Sequence, residues 1–247
     1  MKKTIAILLA MLTITAANAQ ERRVENKPYI DLRPLHFGIL VGFNAQDIEM
    51  ENVGPQLFTR EDGTEVMRSV VCDASKWNPG ISVGVVADMR ISNHLNLRVT
   101  PTMHFGSKHL TFCDIDNLDE NGVARTESQE LKNTYLSIPL DLKFSSKRCN
   151  NYRPYIMAGV NPMINLTSKD QDIIRLKRFD TMIEIGVGCD LYLPFFKLIP
   201  ELKFCYSLTN SLDKNHASQL KDEALIEMAS GVRACHTKMI VLSFYFE

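Results

Sequence analysis

The sequence lacks long apolar runs and an excess of charge of either sign, and these absences exclude two classes of protein. After its N-terminal leader, the 247-residue chain has no run of about 18 consecutive apolar residues, the length that a membrane-spanning helix needs. Its 28 Lys and Arg residues are balanced by 29 Asp and Glu residues, for a formal net charge of −1. No basic patch typical of nucleic-acid binding stands out. The sequence therefore predicts neither a helical membrane protein nor a nucleic-acid-binding protein.

Motifs of catalysis are also missing. The sequence has no GxSxG elbow and no HExxH pair, which are signatures of α/β-hydrolases and zinc metalloproteases. His104 and His109 fall at the outer end of a predicted strand, with Asp114 and Asp116 nearby in sequence. A rim histidine is more often an exposed polar residue than a general base. We therefore expect neither enzyme activity nor a cofactor.

The six cysteines are few and scattered. None has the CxxC or Cys/His spacing typical of zinc sites. Cys72 and Cys113 fall in predicted long loops and could form a disulfide, whereas Cys149 falls in a short turn. Cys189 lies on an outward register, where an unpaired thiol is a small apolar group.

The N-terminus has the features of an export signal. Two lysines precede the apolar run Ile5–Leu12, which is followed by small residues ending at Ala19. This run is too short for a spanning helix and is typical of a secretory signal peptide. We therefore expect residues 1–19 to be removed by cleavage between Ala19 and Gln20. The polar, proline-containing residues 20–34 are expected to form an extended periplasmic tail.

The most informative feature that is present is an alternation of apolar and polar residues. Across His94–Gly106 the apolar positions are Leu95, Leu97, Val99, Pro101, Met103 and Phe105, and small or polar residues lie between them. Side chains on a β-strand point alternately to its two faces, so this segment has one apolar and one polar face.

Eight segments share this pattern. They are Leu35–Ile48, Trp77–Met89, His94–Gly106, Lys132–Phe144, Tyr152–Leu166, Phe179–Leu191, Leu198–Leu208 and Cys235–Phe246. A tilted strand needs about 9–11 residues to cross a bilayer, and each segment reaches that length. The pattern predicts an all-β fold, an eight-stranded antiparallel up-and-down transmembrane β-barrel over residues 35–247.

The connections support this interpretation because they alternate between long and short. The long ones are Glu49–Lys76, Ser107–Leu131, Thr167–Arg178 and Thr209–Ala234, and the short ones are Arg90–Asn93, Ser145–Asn151 and Tyr192–Lys197. Outer-membrane barrels have short periplasmic turns and longer outer loops. The even strand count places both termini on the periplasmic side. Within the last long loop, Gln219–Ala229 could form a turn or two of helix.

A soluble lipocalin-like barrel is the rival architecture, with the apolar face turned inward. All eight segments carry glycine or serine on the polar face, which suits the crowded interior of a small membrane barrel. Five prolines lie inside predicted strands, where each removes a ladder hydrogen bond and should cause a bulge or an early strand end. They are Pro101, Pro139, Pro154, Pro162 and Pro200.

The inward register collects charges of both signs. These residues are Asp88, Arg98, Asp141, Lys143, Arg153, Asp180, Glu184, Asp190, Glu201 and Lys203. The interior of an eight-stranded barrel is only wide enough to be filled by side chains. We therefore expect a salt-bridged plug, and the alternative is a narrow polar pore.

Several stretches carry a family resemblance. They are PLHFGILVGFNAQD at Pro34–Asp47, VADMRISNHLNLRVTPTMHFG within Pro79–Gly106, SSKRCNNYRPYIMAG at Ser145–Gly159, LKRFDTMIEIGVGCDLYLPFFKLIPELK at Leu176–Lys203, and the terminal SFYFE. In these stretches the chain resembles the PorT family of the type IX secretion system. It departs from that pattern at Cys149, Cys189 and Cys205, and it ends in Phe246-Glu247 rather than in an aromatic residue.

The resemblance implies a non-enzymatic outer-membrane barrel that is required to export cargo proteins with C-terminal secretion domains, such as surface proteases. Its partners would be outer-membrane lipid, other type IX secretion components and secreted cargo. The family supplies no catalytic residue to transfer. A generic structural or adhesion barrel and a narrow small-solute pore are the alternatives.

Overall fold

A computed structural model describes residues 24–59, 63–74, 77–118, 124–167, 173–213, 216 and 223–247. The predicted cleavage site at Ala19 and Gln20 lies outside these residues. The strands are β1 (Leu35–Asn52), β2 (Gln56–Thr59), β3 (Glu65–Arg68), β4 (Val70–Ala74), β5 (Asn78–Arg90), β6 (Leu95–Val99), β7 (Thr102–Leu118), β8 (Ala124–Ser137), β9 (Leu140–Ser145), β10 (Tyr152–Asn165), β11 (Phe179–Tyr192), β12 (Lys197–Ser207) and β13 (Val232–Phe246).

Helical structure among the described residues is limited to two short elements. A short 3₁₀ turn covers Ile30–Leu32, and one helix, α1, covers Glu223–Ser230, overlapping the helical segment predicted in the last loop. No helix among the described residues is long and apolar enough to cross a membrane.

The strands close into a ring of eight antiparallel members, which confirms the predicted barrel. In ring order the members are β1, β5, β6 with β7, β9 with β8, β10, β11, β12 and β13. Closure occurs where β1 pairs with β13, from Ile39 opposite Phe246 to Asn52 opposite Val232. The start of β1, the end of β13 and the short turns lie at one end, called the terminal end below, and the longer connections lie at the other, the loop end.

Two prolines interrupt ring strands, as expected. Thr100 and Pro101 separate β6 from β7, and Ile138 and Pro139 separate β8 from β9. The two gaps are adjacent, because the amide of Thr100 donates to the carbonyl of Pro139 at 3.3 Å. The backbone N–H groups that the two prolines lack are therefore missing from a single interruption of the sheet.

Three other prolines do not end their strands, and for them that expectation was wrong. Pro162 accepts a hydrogen bond from the amide of Ile138, so its nitrogen faces the existing gap between β8 and β9. Pro154 accepts from Ser146, just past the end of β9. Pro200 faces an interruption of the β11–β12 ladder. In each case the missing N–H points to a place where the neighbouring strand is not paired.

The outward face forms an apolar band around the barrel. Phe37, Phe43 and Phe179 are 68 %, 63 % and 67 % exposed. The residues between the outward positions are mostly buried in the interior, for example Arg98 and Glu201. Apolar side chains outward and charged side chains inward are the arrangement of a barrel in lipid rather than of a lipocalin.

Two predicted long loops are largely strand. Ladder pairing between β7 and β8 continues from Thr102 opposite Ser137 to Asp114 opposite Arg125, within the predicted loop Ser107–Leu131. Residues 49–76 likewise hold the end of β1 and strands β2, β3 and β4.

These extensions were missed because the polarity of the two faces reverses beyond the apolar band. There the inward residues become apolar and the outward ones polar, so the pattern typical of lipid-facing strands stops. The inward side chains form an apolar cluster at the loop end that includes Ile48, Val70, Leu110, Phe112, Leu131, Ile174, Leu176, Leu212, Met228 and Val232. The cluster fills the barrel above the charged interior.

Candidate functional site in the barrel interior

Arg98 lies at the centre of the charged interior and is fully buried. Its guanidinium contacts Asp88 at 3.1 Å and Glu201 at 2.8 Å. The rings of Tyr155 and Tyr245 flank it, at 5.4 and 4.8 Å from the guanidinium carbon to the ring centroids. Because β6 and β12 are opposite members of the ring, the contact with Glu201 crosses the whole lumen.

A second group of charges lies on the terminal side of Arg98. Lys143 donates to both carboxylate oxygens of Asp190, at 2.7 and 3.0 Å, and lies 3.8 Å from Asp88. Lys197 lies 3.5 Å from Asp190 and 2.8 Å from Glu247. Each buried charge here has an opposite charge within 4 Å, which is the condition for holding charges in a low-dielectric interior.

On the loop side of Arg98 the balance differs, because three carboxylates share one ammonium. Lys203 lies 3.2 Å from Glu184, 3.7 Å from Glu201 and 4.0 Å from Asp141. Neither carboxylate oxygen of Asp141 accepts a hydrogen bond, although the side chain is fully buried. Asp141 is therefore the least compensated charge of the interior.

Two tyrosines connect the charges by hydrogen bonds. The hydroxyl of Tyr245 donates to Glu201 at 2.6 Å, and the hydroxyl of Tyr155 donates to the same carboxylate. A side chain at Gly188 would collide with the Tyr155 ring. The inward glycine is thus a requirement for placing Tyr155 beside Arg98.

A chain of polar side chains continues toward the loop end. Gln46 donates to Asn44 at 3.1 Å, and Asn44 donates to Ser82 at 2.9 Å. His104 lies between Ser82, at 2.8 Å, and Ser137, at 3.1 Å. The imidazole is thus held between two hydroxyls inside the barrel, and no carboxylate orients it as a general base.

Among the predicted interior residues, Asp88, Arg98, Asp141, Lys143, Glu184, Asp190, Glu201 and Lys203 share one contiguous set of contacts. Asp180 lies apart from them toward the loop end, where it accepts hydrogen bonds from the hydroxyls of Ser207, Thr209 and Ser211.

Arg153 also lies apart, at the terminal mouth. Its guanidinium donates to the carbonyl oxygens of Ser146 and Asn93, and it lies 3.7 Å from Asp31. Asp31 belongs to the segment 24–33, called the N-terminal strap below.

The N-terminal strap lies across the terminal mouth. Arg148 donates to the carbonyls of Asn26 and Lys27, and its guanidinium lies 3.5 Å from the ring centroid of Tyr192. The hydroxyl of Tyr192 donates to Asp31 at 2.6 Å. The strap is thus held by residues from two of the short connections, Ser145–Asn151 and Tyr192–Lys197.

Lys197 and Glu247 were not predicted as members of the interior network, because both lie at strand ends where no alternation is visible. Lys108 was not predicted either; it is buried among apolar residues and donates to Tyr135 at 2.9 Å and Thr237 at 3.0 Å. The only available signal was the inward register of Lys108, two residues past Gly106.

Cys72 and Cys113 do not have the geometry that a disulfide needs. Cys72 pairs with Phe112 across the β4–β7 ladder, and Val71 pairs with Cys113. Directly opposed residues share a face, so Cys72 points inward with Phe112 while Cys113 points to the other side. The disulfide considered from sequence is therefore not formed, and all six cysteines are free.

The charged side chains contact one another across the eight-stranded ring. The interior is therefore closed and does not form a cleft. No group of three or more His, Cys, Asp or Glu side chains that could hold a metal ion occurs among the described residues. The lipid-facing band, the antiparallel ring and the charged, filled lumen define the protein as an outer-membrane β-barrel.

Comparison with known protein families gives the same class of protein. Residues 18–213 match the family described as outer membrane protein beta-barrel domain. The chain belongs to that family and resides in the outer membrane. No curated protein matches it by sequence.

Three solved structures are similar in fold. The outer membrane protein OprG from Pseudomonas aeruginosa is 13 % identical, with a TM-score of 0.43, over 85 % of this chain and 93 % of that one. Neisserial surface protein A is 10 % identical, with a TM-score of 0.40, over 86 % and 98 %. The N-terminal barrel domain of Pseudomonas aeruginosa OprF is 14 % identical, with a TM-score of 0.33, over 84 % and 97 %.

Proposed function

We propose that this protein is a non-enzymatic outer-membrane component of the type IX secretion system. In that role it is required for the export and maturation of cargo proteins with C-terminal secretion domains, such as surface proteases. The proposal is supported by the resemblance to the PorT family in the stretches around β1, β5–β7, β10, β11 and β12, where the EIGVG and PELK segments form one hairpin.

The structural observation that directs this proposal is the filled lumen. Arg98 reaches Glu201 across the barrel, and an apolar cluster closes the loop end. An eight-stranded ring is in any case too narrow for a folded protein. The translocation channel is therefore another protein, and this barrel acts through its outer surface, its loops or its terminal end, with other secretion components and secreted cargo as partners.

The proposed topology follows from the same reasoning. Residues 1–19 are removed as a signal peptide, residues 20–34 form a periplasmic tail, and residues 35–247 form the barrel. The terminal end then faces the periplasm and the loop end faces the cell exterior. A membrane-impermeant maleimide should label C113S/T126C on intact cells, at an exposed loop-end position, and labelling only after cell disruption would reverse this orientation. The C113S change is needed because Cys113 lies directly opposite Thr126 on the neighbouring strand.

Deletion of the gene tests the export role. Surface protease activity should fall to the level of a secretion-deficient strain and recover with the wild-type gene in trans. Unprocessed cargo should accumulate in the periplasm. Normal export in the deletion strain would refute the proposal.

Two further measurements separate the alternatives. Replacing β2, β3 and their connection with a short turn should leave export intact if the barrel and its terminal end act in secretion, and should abolish surface adhesion if the protein is an adhesin. Purified barrel in a planar bilayer should carry no single-channel current, and a steady conductance would favour a small-solute pore.

A further inference from the structure

A cavity opens at the terminal mouth of the barrel, beside the N-terminal strap. Its volume is about 280 Å³, and its wall combines residues of the strap with residues of two short turns, Arg90–Asn93 and Ser145–Asn151. Four cationic side chains line it together with the carboxylate of Asp31, and they are Arg90, Lys147, Arg148 and Arg153. The lining of this cavity therefore favours an anionic ligand.

The strap already places one carboxylate among these cations. The Asp31 carboxylate lies 3.7 Å from the guanidinium of Arg148 and 3.7 Å from that of Arg153. A direct N–H to carboxylate hydrogen bond is shorter, at about 2.7–2.9 Å between nitrogen and oxygen. Asp31 instead accepts its short hydrogen bond from the hydroxyl of Tyr192, at 2.6 Å. The mouth thus attracts a carboxylate that does not contact either arginine directly.

The same cations also bind backbone carbonyl oxygens of the strap. Arg90 donates to the carbonyl of Leu32 at 3.2 Å, and Arg148 donates to the carbonyl of Lys27 at 3.1 Å. A guanidinium has five N–H donors in a planar fork, so it can serve carbonyl and carboxylate oxygens together. The strap therefore shows which kind of ligand the mouth holds, namely an extended polypeptide with an acidic side chain.

Apolar side chains of the strap lie beside the cations. Leu32 lines the cavity and is 61 % exposed, and Tyr29 is 76 % exposed. A small inorganic anion would contact the cations alone, whereas a polypeptide with apolar residues beside its acidic ones would also cover Leu32. Protein interfaces combine apolar and aromatic anchors with a polar rim in this way. The composition of this surface favours a protein segment over a small anion.

We propose that the cavity binds an acidic segment of a partner protein. Carboxylates of that segment pair with Arg90 and Lys147 beside the strap, and an apolar residue of the segment packs on Leu32. Charge complementarity of this kind selects acidic partners and speeds their association. The inference goes beyond the proposed function and does not depend on the role in secretion. Only the placing of the partner in the periplasm rests on the proposed orientation.

The test is the binding of a fluorescein-labelled peptide of glutamate and leucine residues to refolded barrel in neutral detergent micelles, measured by fluorescence anisotropy. The same peptide with glutamine in place of glutamate is the comparison ligand. R90Q/K147Q should weaken binding of the acidic peptide roughly tenfold, if each cation contributes about threefold. K132Q/R178Q removes two exposed cations at the loop end, and this matched variant should change the affinity less than about twofold.

Two further comparisons separate a specific site from a folding defect and from the net charge. R90K/K147R keeps both cations and should bind the acidic peptide within about twofold of wild type. D31N removes the strap carboxylate from the cavity and should strengthen binding about threefold. D116N makes the same charge change at an exposed loop-end position and should leave the affinity unchanged.

Equal binding of the acidic peptide by wild type and R90Q/K147Q would overturn the proposal, as would equal binding of the glutamine peptide. An equal loss in K132Q/R178Q would mean that net charge alone attracts the peptide, and this result would also overturn it. Displacement of the bound peptide by an equimolar amount of inorganic phosphate would reveal a small-anion site and would refute the assignment to a protein segment.

Discussion

Arg98 on β6 and Glu201 on β12 lie on opposite strands of the ring, and their side chains meet at 2.8 Å in the middle of the lumen. The same guanidinium also contacts Asp88 at 3.1 Å. One side chain therefore connects three of the eight ring strands. This contact links two opposite walls of the barrel through the lumen, in addition to the strand pairing that closes the ring.

The first prediction concerns the loss of Arg98. R98M should lower the free energy of unfolding by about 3–5 kcal/mol, because Asp88 and Glu201 would lose their nearest cation while buried. Among the described residues, only the cations of Lys143, at 3.8 Å, and Lys203, at 3.7 Å, would remain beside them. Urea titration of the barrel in lipid vesicles, followed by the fluorescence of the single tryptophan, Trp77, measures this. K238M, which breaks an exposed pair, should cost less than about 1 kcal/mol. Similar losses in the two variants would contradict the central role of Arg98.

The second prediction separates Asp141 from the other interior carboxylates. D141N should leave the free energy of unfolding unchanged or raise it, because neither oxygen of Asp141 accepts a hydrogen bond and the interior has excess negative charge. D190N is the matched variant. It should be destabilising, because the Asp190 carboxylate accepts two hydrogen bonds from Lys143. The same urea titration compares them, and a large loss in D141N would show that Asp141 has a required partner.

Much of the barrel wall could be predicted from the sequence, because a strand in lipid has apolar residues outward and polar residues inward. In β11, for example, Ile183, Ile185 and Val187 are exposed while Asp180 and Glu184 are buried, and the alternation predicts this assignment. Beyond the lipid the rule reverses. Leu110 and Phe112 turn inward in a region where outward apolar residues were sought, so the extended hairpin of β7 and β8 was interpreted as a loop.

The contacts between side chains inside the barrel could not be predicted from the sequence to the same extent. An inward register states which side chains enter the lumen but not the height at which each lies, and the height depends on how the strands are staggered. Arg98 and Glu201 are 103 residues apart in sequence, and only the closed ring places them at one level. The contact of Arg148 with the N-terminal strap depends in the same way on residues far away in sequence.

The third prediction concerns pH. Lys108 lies on the loop side of the apolar band, and burial lowers its pKa from 10.5 to about 8. Between pH 8 and 10.5 the unfolded chain therefore holds the Lys108 proton and the folded one does not, so Lys108 by itself should make the free energy of unfolding rise with pH, by roughly 3 kcal/mol over the window. The buried thiols of Cys72 and Cys235 oppose this rise, so the contribution of Lys108 is the difference between wild type and K108M. K108M should flatten this rise. K132Q removes an exposed lysine and should not, and an unchanged slope in K108M would assign the effect to other groups.

The fourth prediction concerns thiol chemistry. Cys72 and Cys235 are buried in the loop-end cluster, and burial raises the pKa of each thiol to about 12. Both should resist alkylation in the folded barrel at pH 8, whereas the half-buried Cys113 should react. Peptide mass spectrometry after pulse alkylation distinguishes them. A disulfide-linked peptide containing Cys72 and Cys113 would contradict their placement on opposite faces.

The last prediction concerns the N-terminal strap. Arg148 donates to the carbonyls of Asn26 and Lys27 and stacks on Tyr192, so R148A should release the strap while leaving the interior network intact. Limited proteolysis by chymotrypsin after Tyr29, the exposed aromatic residue of the strap, should become at least tenfold faster, because cleavage of a held segment is limited by the fraction of time it is open. K147A alters the adjacent exposed lysine of the same turn and should leave the rate unchanged. If R148A and wild type are cleaved equally fast, two other hydrogen bonds hold the strap without Arg148. They are donated by the amide of Asn26 to the side chain of Asn151 and by the hydroxyl of Tyr192 to Asp31.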